Sequence, residues 1–327
     1  MIQNSKILIT GGYGFIGAHL ALRLAGPKLN NQITVFDLDS SPHTTGDDLK
    51  LREMDNITIS LGSVLEPKDF AKLPNDFDYI VHAAGFLGIN KVADNQLITL
   101  DVNIIGTRNC LEFAAKGTIK PRVLVFSTSE IYGTECAEPD EISPSIIETT
   151  GKRWVYAASK LSAEYYLKAY IQQYGIKGSI IRPFNVFGPY RYGTNAMTTI
   201  VRKALDNEDI IISGDGTQIR SWCYIDDFCD GIVSILALAD GDGEAYNIGD
   251  IRNQLSINDL VEKVVSLTNS DSSIVITGNC IEDVALRIPN IDKATSQLGY
   301  KPHAVFDESI LKIADWLHDK DLEGSVL

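Results

Sequence analysis

The chain has 327 residues, of which 44% are hydrophobic, and a formal net charge of −14 at pH 7. This length favours two domains over one small domain, and the apolar content is sufficient for a sizeable core. The negative charge and the lack of a basic patch argue against nucleic-acid binding and against binding to an anionic membrane surface.

The sequence carries no recognisable pattern for export or membrane insertion. No apolar run is long enough to span a bilayer, and the first residues, MIQNSKILIT, do not contain the apolar core and cleavage site of a signal peptide. The five cysteines are odd in number and show no CxxC spacing. We therefore expect a reduced, cytoplasmic protein whose cysteines are packed side chains.

Strand and helix patterns alternate in the first half of the chain. Short apolar runs predict strands at residues 6–10, 33–38, 57–61, 79–84 and 123–127, with helical patterns between them that include 16–24 and 103–115. This alternation predicts βαβ units and a parallel sheet, and near-continuous apolar strands indicate a sheet covered on both faces. The predicted fold class is therefore α/β with a doubly wound parallel sheet.

The pattern changes after residue 180. RPFNVFGPYRYG, residues 182–193, is rich in Pro, Gly and aromatic side chains and is predicted as an irregular loop. A short strand is predicted at residues 246–249, and the tail from Asp292 is mostly helical in pattern. We therefore predict a first domain over 1–180 with a return segment at about 221–249, and a smaller mixed α/β domain over 181–327.

A glycine-rich turn follows the first predicted strand. In TGGYGFIGAHLA, Gly11, Gly14 and Gly17 are spaced as GxxGxxG directly before a helical pattern. Glycines here permit a tight turn, close approach to a pyrophosphate, and tight packing of helix on strand. Asp37 ends the second strand, where a carboxylate accepts hydrogen bonds from a ribose 2′-hydroxyl and repels a 2′-phosphate. This context predicts a Rossmann-type domain that binds NAD rather than NADP; the alternative is a glycine-rich turn with a surface Asp.

Tyr156 and Lys160 stand one helical turn apart in RWVYAASKLSAEYY. Such a pair is common by chance, and i, i+4 neighbours often do no more than share a helix face. Here, however, a dinucleotide-binding pattern precedes the pair, and the fifth strand ends in FSTSEIYG, at the sheet edge where doubly wound folds bind their ligands. The pair is therefore a candidate for catalysis.

Six motifs in order carry a resemblance that runs from about Lys6 to about Pro302. They are TGGYGFIG, HAAGFLG, NIIGT, STSEIYG, YAASK and RPFNVFGPYR. Together they resemble the extended short-chain dehydrogenase/reductase family, and more narrowly its enzymes that modify nucleoside-diphosphate sugars. The resemblance implies a Rossmann-type domain with NAD, a smaller nucleotide-sugar-binding domain, and a homodimer in which the helix around Tyr156 enters a four-helix bundle.

The resemblance also assigns roles to residues. Tyr156 would be the base that takes a sugar hydroxyl proton, with Lys160 lowering its pKa and holding the ribose, and Thr128 would bond the reacting hydroxyl. Glu130 completes the catalytic set. The implied cofactor contacts are Gly11, Gly14, Phe15, Ile16, Gly17, Asp37, Ser63, Val64, Ala83, Ala84 and Lys160, and the implied substrate contacts are Asn185, Arg191, Arg220 and Arg287. Relatives usually have an acid where this chain has Ser63, which puts that one contact in doubt.

Oxidation of the sugar at C4 opens several reactions. The ketone can lose an adjacent carboxylate as CO₂, lose a 6-hydroxyl after C5 deprotonation, or be reduced from its other face. Glu130 in the TSE triplet is typical of dehydratases and decarboxylases rather than of simple epimerases. Many dehydratases have Asp where this chain has Ser129, but some keep TSE, so Ser129 does not exclude dehydration. Arg153 in RWVY and Arg287 in LRIPNI resemble UDP-glucuronate decarboxylases, and Arg287 could bind a carboxylate, bind a diphosphate or form a structural ion pair.

The favoured hypothesis is therefore a UDP-glucuronate decarboxylase. A 4,6-dehydratase comes next, followed by a 4-epimerase or 4-dehydrogenase, and the alternative from another class is an NAD(H)-sensing protein without catalysis. Such a sensor typically loses the Tyr or the Lys, whereas both are present here. No metal site is predicted, because Asp226 and Asp227 have no third ligand at suitable spacing. His82 is interpreted as loop scaffolding, and Phe184 and Trp222 as core residues.

Overall fold

The computed structural model describes residues 2–38, 44–193, 195–278 and 284–322. Its strands are β1 (Lys6–Thr10), β2 (Gln32–Asp37), β3 (Ile57–Leu61), β4 (Tyr79–His82), β5 (Arg122–Phe126), β6 (Glu135–Ala137), β7 (Lys177–Pro183), β8 (Val186–Phe187), β9 (Ile210–Ile212), β10 (Ile219–Ser221), β11 (Cys223–Tyr224), β12 (Ala245–Ile248), β13 (Gln254–Ser256), β14 (Ile274–Ile276) and β15 (Leu286–Ile288).

The α-helices alternate with these strands along the described ranges. They are α1 (Phe15–Leu24), α2 (Thr45–Asp48), α3 (Pro67–Phe70), α4 (Ile89–Asp94), α5 (Gln96–Leu100), α6 (Gly106–Lys116), α7 (Trp154–Tyr174), α8 (Ala196–Leu205), α9 (Ile225–Ala237), α10 (Ile257–Thr268), α11 (Asp292–Leu298) and α12 (Phe306–Leu322). A π-helical segment, Asp101–Ile105, joins α5 to α6, and a 3₁₀ turn, Ser129–Tyr132, follows β5.

A seven-stranded parallel sheet forms the centre of the fold, in the order β12-β7-β5-β4-β1-β2-β3. All five residues of β5 and the last four of β1 are buried, because helices cover both faces of the sheet. The α/β class and the Rossmann-type sheet predicted from the sequence are thereby confirmed. The predicted strands at 6–10 and 57–61 have the observed bounds, whereas β4 ends at His82 rather than at residue 84.

The second half of the chain builds a smaller four-stranded sheet, in the order β13-β10-β15-β6, and also completes the large one. β12 pairs with β7 at the edge of the seven-stranded sheet, and α9 packs against α1. The predicted short strand is observed as Ala245–Ile248, and the tail is helical in α11 and α12. The exact limits of the two predicted domains, 1–180 and 181–327, stay a prediction.

Two sequence predictions need correction. Residues 182–193 are not a continuous loop, because Arg182 and Pro183 end β7 and Val186–Phe187 forms β8 against β11. Proline is acceptable at the end of a strand, where its missing N–H leaves no ladder bond unmade. The helix predicted at 103–115 is part of a longer one that begins at Gln96 and contains the π segment.

Several large apolar side chains remain exposed on the helices beside the sheet. Leu97 on α5 is 79% exposed and Tyr165 on α7 is 65% exposed. The homodimer through α7 stays a prediction. In such a dimer these exposed side chains would lie in the interface. Within the described ranges, no helix combines the length and the apolar character that a bilayer crossing requires. Cys110, Cys223 and Cys229 are buried free thiols, whereas Cys280 lies outside the described residues.

Candidate active site

A cavity of about 900 Å³ lies beyond the carboxyl ends of strands β1 to β5 and β7. Ligands of doubly wound sheets bind at this edge, and the volume is at the upper end of the range for ligand pockets. Apart from Arg220, every residue that the sequence predicted for the site lines this cavity. They are Gly11, Gly14, Phe15, Ile16, Gly17, Asp37, Ser63, Val64, Ala83, Ala84, Thr128, Glu130, Tyr156, Lys160, Asn185, Arg191 and Arg287.

The glycine turn between β1 and α1 has no room for side chains at two of its glycines. Gly11 has a φ of +69°, and a Cβ placed on it would stand 2.6 Å from the backbone nitrogen of Ala84. A Cβ on Gly17 would stand 2.7 Å from the Cα of Gly12, so α1 packs directly on the turn. The N-terminus of α1, whose first N–H groups have no partner within the helix, therefore opens into the cavity as an anion site.

Asp37 lies beside this turn at the end of β2. Its Oδ2 accepts a hydrogen bond from the Tyr13 backbone N–H at 2.9 Å, and its Oδ1 accepts one from Leu38 at 2.8 Å. Burial raises the pKa of the Asp37 carboxyl, and the backbone hydrogen bonds oppose this shift. Next to it, the Ser63 backbone N–H donates to the Asp69 carboxylate at 3.0 Å. Relatives usually have an acid at the position of Ser63, whereas here the acid that contacts this position lies six residues later in the chain.

His82, at the end of β4, is held between two threonines below the cavity. Its Nδ1 lies 2.8 Å from the hydroxyl of Thr10, and its Nε2 lies 3.1 Å from the hydroxyl of Thr107. Since Thr107 donates its own proton to the carbonyl of Asn103 at 2.6 Å, Nε2 carries the histidine proton. Complete burial lowers the pKa of His82 to about 3, which fits the predicted scaffolding role of a neutral ring.

Asn103, in the π-helical segment, ties the cavity wall to α7. Its Oδ1 accepts from the Phe86 backbone N–H at 2.9 Å, and its Nδ2 donates to the Phe86 carbonyl at 3.1 Å and to Ser159 at 3.0 Å. π-bulges often lie at functional sites. Sequence reasoning used Asn103 only as part of the NIIGT motif, and the π geometry that aims its side chain has no local sequence signal.

Tyr156 and Thr128 form the centre of the candidate catalytic group. The Thr128 hydroxyl accepts from the Glu130 backbone N–H at 3.2 Å and hydrogen-bonds Tyr156, which lowers the tyrosine pKa. Burial and the charge of Glu130 outweigh this effect, so the pKa of Tyr156 is raised above its ordinary value. Arg191 and Arg287 also act to lower it. A phenolate at neutral pH therefore needs further positive charge at this position.

Lys160 lies one turn further along α7, inside the cavity wall. A Cβ added to Gly85 would stand 3.1 Å from its Nζ, so the glycine leaves the space that the ammonium group occupies. Burial lowers the pKa of Lys160 to about 8. The predicted effect of Lys160 on the pKa of Tyr156 stays a prediction.

Glu130 lies between two arginines that come from distant parts of the chain. Its Oε1 is 3.5 Å from a guanidinium nitrogen of Arg287 and 3.9 Å from one of Arg153. All three side chains are largely buried, at 19%, 10% and 9% exposed respectively. Two guanidiniums therefore face the Glu130 carboxylate beside Tyr156. Arg153 lines the cavity as well, although the sequence prediction did not include it among the substrate contacts.

Arg191 and Asn185 enter the cavity from the segment after β7. The Arg191 guanidinium lies over the Phe15 ring, 5.4 Å from its centroid, and donates to the Val186 carbonyl. Burial lowers the pKa of Arg191 to about 10. Asn185 has a φ of +35° and donates through Nδ2 to the Ser221 carbonyl at 3.0 Å. A left-handed asparagine at a cavity wall is a conformation often found at functional sites.

Arg220 is the predicted site residue that does not line the cavity. It lies on β10 opposite Arg287 on β15 in the parallel register, so the two side chains share one face of the small sheet. Arg220 is buried, at 8% exposed. Trp222 is buried, at 5% exposed, but it also lines the cavity, so its interpretation as core alone is incomplete.

Asp227, which the sequence analysis weighed as half of a metal pair, meets Asp230 and His303. Its Oδ1 accepts from the His303 backbone N–H and lies 2.9 Å from the His303 ring nitrogen, and its Oδ2 accepts from Ala304 at 3.1 Å. The carboxylate oxygens thus already hold the chain before α12. This cluster is explained as a link between α9 and that segment.

The chain belongs to the NAD dependent epimerase/dehydratase family, whose family model matches residues 7–249. It is therefore an NAD-dependent enzyme of the extended short-chain dehydrogenase/reductase type, as its motifs predicted. The glycine turn that excludes side chains, the free N-terminus of α1 and Asp37 fit this cofactor.

Known relatives modify nucleoside-diphosphate sugars. The chain is 29% identical to the UDP-N-acetyl-alpha-D-glucosaminuronate decarboxylase of Bacillus cytotoxicus over 97% of this chain and 99% of that protein. It is 31% identical to UDP-glucuronic acid decarboxylase 3 of Arabidopsis thaliana over 94% of this chain and 87% of that one. A solved UDP-glucuronic acid 4-epimerase from Bacillus cereus, bound to UDP-glucuronic acid and NAD, has a TM-score of 0.86 at 26% identity, covering 96% of this chain and 99% of that one. The activity of this chain is therefore NAD-dependent modification of a nucleoside-diphosphate sugar.

Proposed function

We propose that this protein is a UDP-glucuronate decarboxylase that acts through transient oxidation at C4 of the sugar. The observation that carries this proposal is the placement of Glu130 between Arg153 and Arg287, at 3.9 Å and 3.5 Å. Both guanidiniums line the cavity, and Arg forks bind a substrate carboxylate with paired, charge-assisted hydrogen bonds.

The first step is proton removal from the C4 hydroxyl by Tyr156. The Thr128 hydroxyl, whose oxygen is already an acceptor for the Glu130 N–H, keeps its proton available for the tyrosine oxygen and supports the phenolate. NAD, held by the N-terminus of α1, Asp37 and Lys160, would supply the acceptor for the C4 hydride and the same hydride for the later reduction. We assign Lys160 to the ribose hydroxyls and the N-terminus of α1 to the pyrophosphate.

Oxidation at C4 makes the C6 carboxylate part of a β-keto acid. The C5–C6 bond then breaks, CO₂ leaves, and its electron pair passes through C5 to the C4 oxygen as an enolate. Protonation at C5 gives a 4-keto pentose, and return of the hydride to C4 gives a UDP-pentose. Glu130 lies beside Tyr156 and is the group we propose to manage the proton at C5.

The leaving group distinguishes decarboxylation from dehydration. Loss of a 6-hydroxyl requires an acid that protonates it, and this chain has Ser129 where many dehydratases have Asp. Ser129 is buried, at 4% exposed, and a serine hydroxyl is a poor proton donor at neutral pH. CO₂ leaves as a neutral molecule and needs no such acid. This difference favours the decarboxylase.

The second candidate is a 4,6-dehydratase, which the position of Glu130 favours, since dehydration also requires a base for the C5 proton. A dehydratase would bind a sugar without a carboxylate, so Arg287 would then serve the diphosphate together with Arg220, its register neighbour. We propose Asn185 and Arg191 as further substrate contacts under either reaction. A 4-epimerase or 4-dehydrogenase gives Glu130 no chemistry at C5 and ranks below both.

The proposal is tested by proton NMR of UDP-glucuronate with the purified NAD-loaded protein. The expected result is loss of the C5 proton signal of the uronate, with appearance of UDP-pentose or 4-keto-pentose signals. A substrate labelled with ¹³C at C6 would release the label as CO₂. Tyr156→Phe should abolish the conversion, and Tyr170→Phe, which removes a surface hydroxyl from the same helix, should leave it unchanged.

An untouched UDP-glucuronate, in protein shown to hold NAD, would overturn the decarboxylase proposal for that sugar. The 2-acetamido uronate is the second substrate to test, because a relative that matches 97% of this chain is named for it. Conversion of a neutral nucleotide hexose to a 4-keto-6-deoxy sugar would establish the dehydratase instead.

A further inference from the structure

A buried polar network lies beside the cavity but outside its lining. Arg182 on β7 forms a two-pronged ion pair with Glu164 on α7, at 2.8 Å from Nε and 2.7 Å from a terminal nitrogen. The other terminal nitrogen donates to the Tyr132 hydroxyl at 2.6 Å and to the Glu141 carbonyl at 3.0 Å. Tyr132 in turn donates to Asn247 Oδ1 at 2.8 Å.

The network continues into the segment that follows β15. Asn247 donates through Nδ2 to the carbonyl of Pro139 at 2.8 Å and to that of Asn290 at 3.3 Å. Glu164, Arg182, Tyr132 and Asn247 are at most 5% exposed. None of these four side chains lines the cavity, so the chemistry described above does not use them.

Two side chains and one carbonyl of the network lie close in the chain to residues of the candidate active site. Glu164 is one helical turn after Lys160 and two turns after Tyr156, on the same face of α7. Tyr132 ends the 3₁₀ turn that contains Glu130. The Asn290 carbonyl comes three residues after Arg287. The network thus holds the three pieces of chain that bring these groups together.

The chemistry of the network gives it a fixed geometry. The Arg182 fork and the Glu164 carboxylate bind in one plane, which packing of apolar side chains would not impose. Burial raises the pKa of Tyr132 to about 12, so its hydroxyl keeps its proton. Since Arg182 donates to Tyr132, the tyrosine must donate onward to Asn247. The hydrogen bonds therefore run in one direction, and removing one member leaves its neighbour without its partner.

We propose that the network centred on Arg182 is a positioning device that sets the placement of Tyr156 relative to Glu130 and Arg287. Arg182, Glu164, Tyr132 and Asn247 are positioning residues, because they reach the reacting atoms only through other groups. The inference applies to any reaction at this site that uses Tyr156 and Glu130. It therefore does not require the sugar to be a glucuronate.

The test compares Tyr132→Phe with Tyr170→Phe. The first substitution removes the hydroxyl between Arg182 and Asn247 and keeps the ring that stacks on Phe184. The control removes the hydroxyl that donates to Glu112 at 3.3 Å, on the exposed side of α7. Both NAD-loaded, full-length variants are assayed for kcat and KM with the nucleotide sugar that the wild type converts, and for backbone amide exchange by mass spectrometry.

We expect Tyr132→Phe to lower kcat by roughly 10- to 100-fold with KM changed less than about twofold, because a small misplacement remote from the chemistry slows the chemical step. Amide exchange should accelerate in residues 129–133 and 153–160 and remain at the wild-type rate in strands β1 to β3. Tyr170→Phe should match the wild type in every measurement. Arg182→Lys keeps the charge but loses the fork, and should show the same loss of kcat at constant KM.

Wild-type kcat and wild-type exchange in Tyr132→Phe would overturn the proposal. A loss of kcat that matches the loss of folded protein, with amide exchange raised throughout the chain, would also overturn the proposal, because this result describes general destabilisation. If Tyr132→Phe does not fold, Arg182→Lys decides by the same criteria. A wild type that leaves UDP-glucuronate untouched refutes the decarboxylase and not this inference, since the exchange comparison needs no substrate.

Discussion

Replacing Arg287 with methionine removes one of the two positive charges beside Glu130 and keeps a flexible, unbranched side chain. If Arg287 binds the substrate carboxylate, the variant loses a charge-assisted hydrogen bond, for which measured contributions are about 1.5–3 kcal/mol. Since each 1.36 kcal/mol changes a rate tenfold, kcat/KM for UDP-glucuronate should fall by about 10- to 150-fold.

The assay pairs two substrates that differ only at C6. Release of ¹³CO₂ from labelled UDP-glucuronate reports the full reaction, and the absorbance of reduced nicotinamide reports C4 oxidation of UDP-glucose, which lacks the carboxylate. We expect Arg287→Met to slow the first strongly and the second by less than about threefold, since only the first substrate loses a charged partner. The control is Arg23→Met, which removes a surface arginine paired with Asp230 on α9.

Equal losses with the two substrates would refute this reasoning. They would mean that Arg287 acts on the diphosphate, which both substrates share, or on the placement of Glu130. Arg153→Met separates the last two cases, because Arg153 also faces Glu130, at 3.9 Å, but lies on the α7 side of the cavity rather than next to Arg220 on the small sheet.

Three further predictions concern the cofactor side and the surface. Burial lowers the pKa of Lys160 from 10.5 to about 8, so between these pH values the folded chain binds fewer protons than the unfolded chain. The free energy of unfolding, measured by urea titration, should therefore rise with pH across that window, and Lys160→Met should flatten the rise. Turnover should fall above about pH 8. Gly17→Ala should abolish NAD retention, measured by release of bound nucleotide on denaturation, because the added Cβ would stand 2.7 Å from the Cα of Gly12; unchanged retention would contradict the packing argument. Leu97→Asp should shift a dimer to monomer in sedimentation velocity, since Leu97 is 79% exposed beside α7; a monomeric wild type would contradict the predicted homodimer.

The large sheet could be predicted from the sequence because its strands are buried on both faces. A buried parallel strand appears in the sequence as an uninterrupted apolar run such as KILIT or RVLVF. Such a run can be recognised without knowing which strands lie beside it. The helix that begins at Gln96 was predicted too short for the opposite reason. Its first turns expose Leu97 and Ile98, so their apolar side chains do not follow the amphipathic period that marks a helix packed on a sheet.

The cofactor half of the site was predictable for a related reason. The glycine turn and Asp37 bind through backbone geometry and one carboxylate within a single βαβ unit, so their spacing in the sequence is their spacing in the fold. The structural role of Asn103 was not predicted, because its side chain hydrogen-bonds the backbone of Phe86 and the hydroxyl of Ser159, and no local sequence pattern indicates either partner. Trp222 was interpreted as core because burial and cavity lining look the same in sequence.

The reaction itself depends on side chains that only the tertiary fold brings together. Glu130 and Arg287 are separated by 157 positions in the chain, and they meet because β15 pairs with β6, a few residues after the turn that carries Glu130. Under the proposed decarboxylation, a uronate offers its carboxylate to two guanidiniums that line the cavity, whereas a neutral hexose offers them only a hydroxyl. Departure of that carboxylate as CO₂ removes this charge-assisted contact at the step where the C5–C6 bond breaks. The same guanidiniums that select the substrate would therefore favour release of the decarboxylated product.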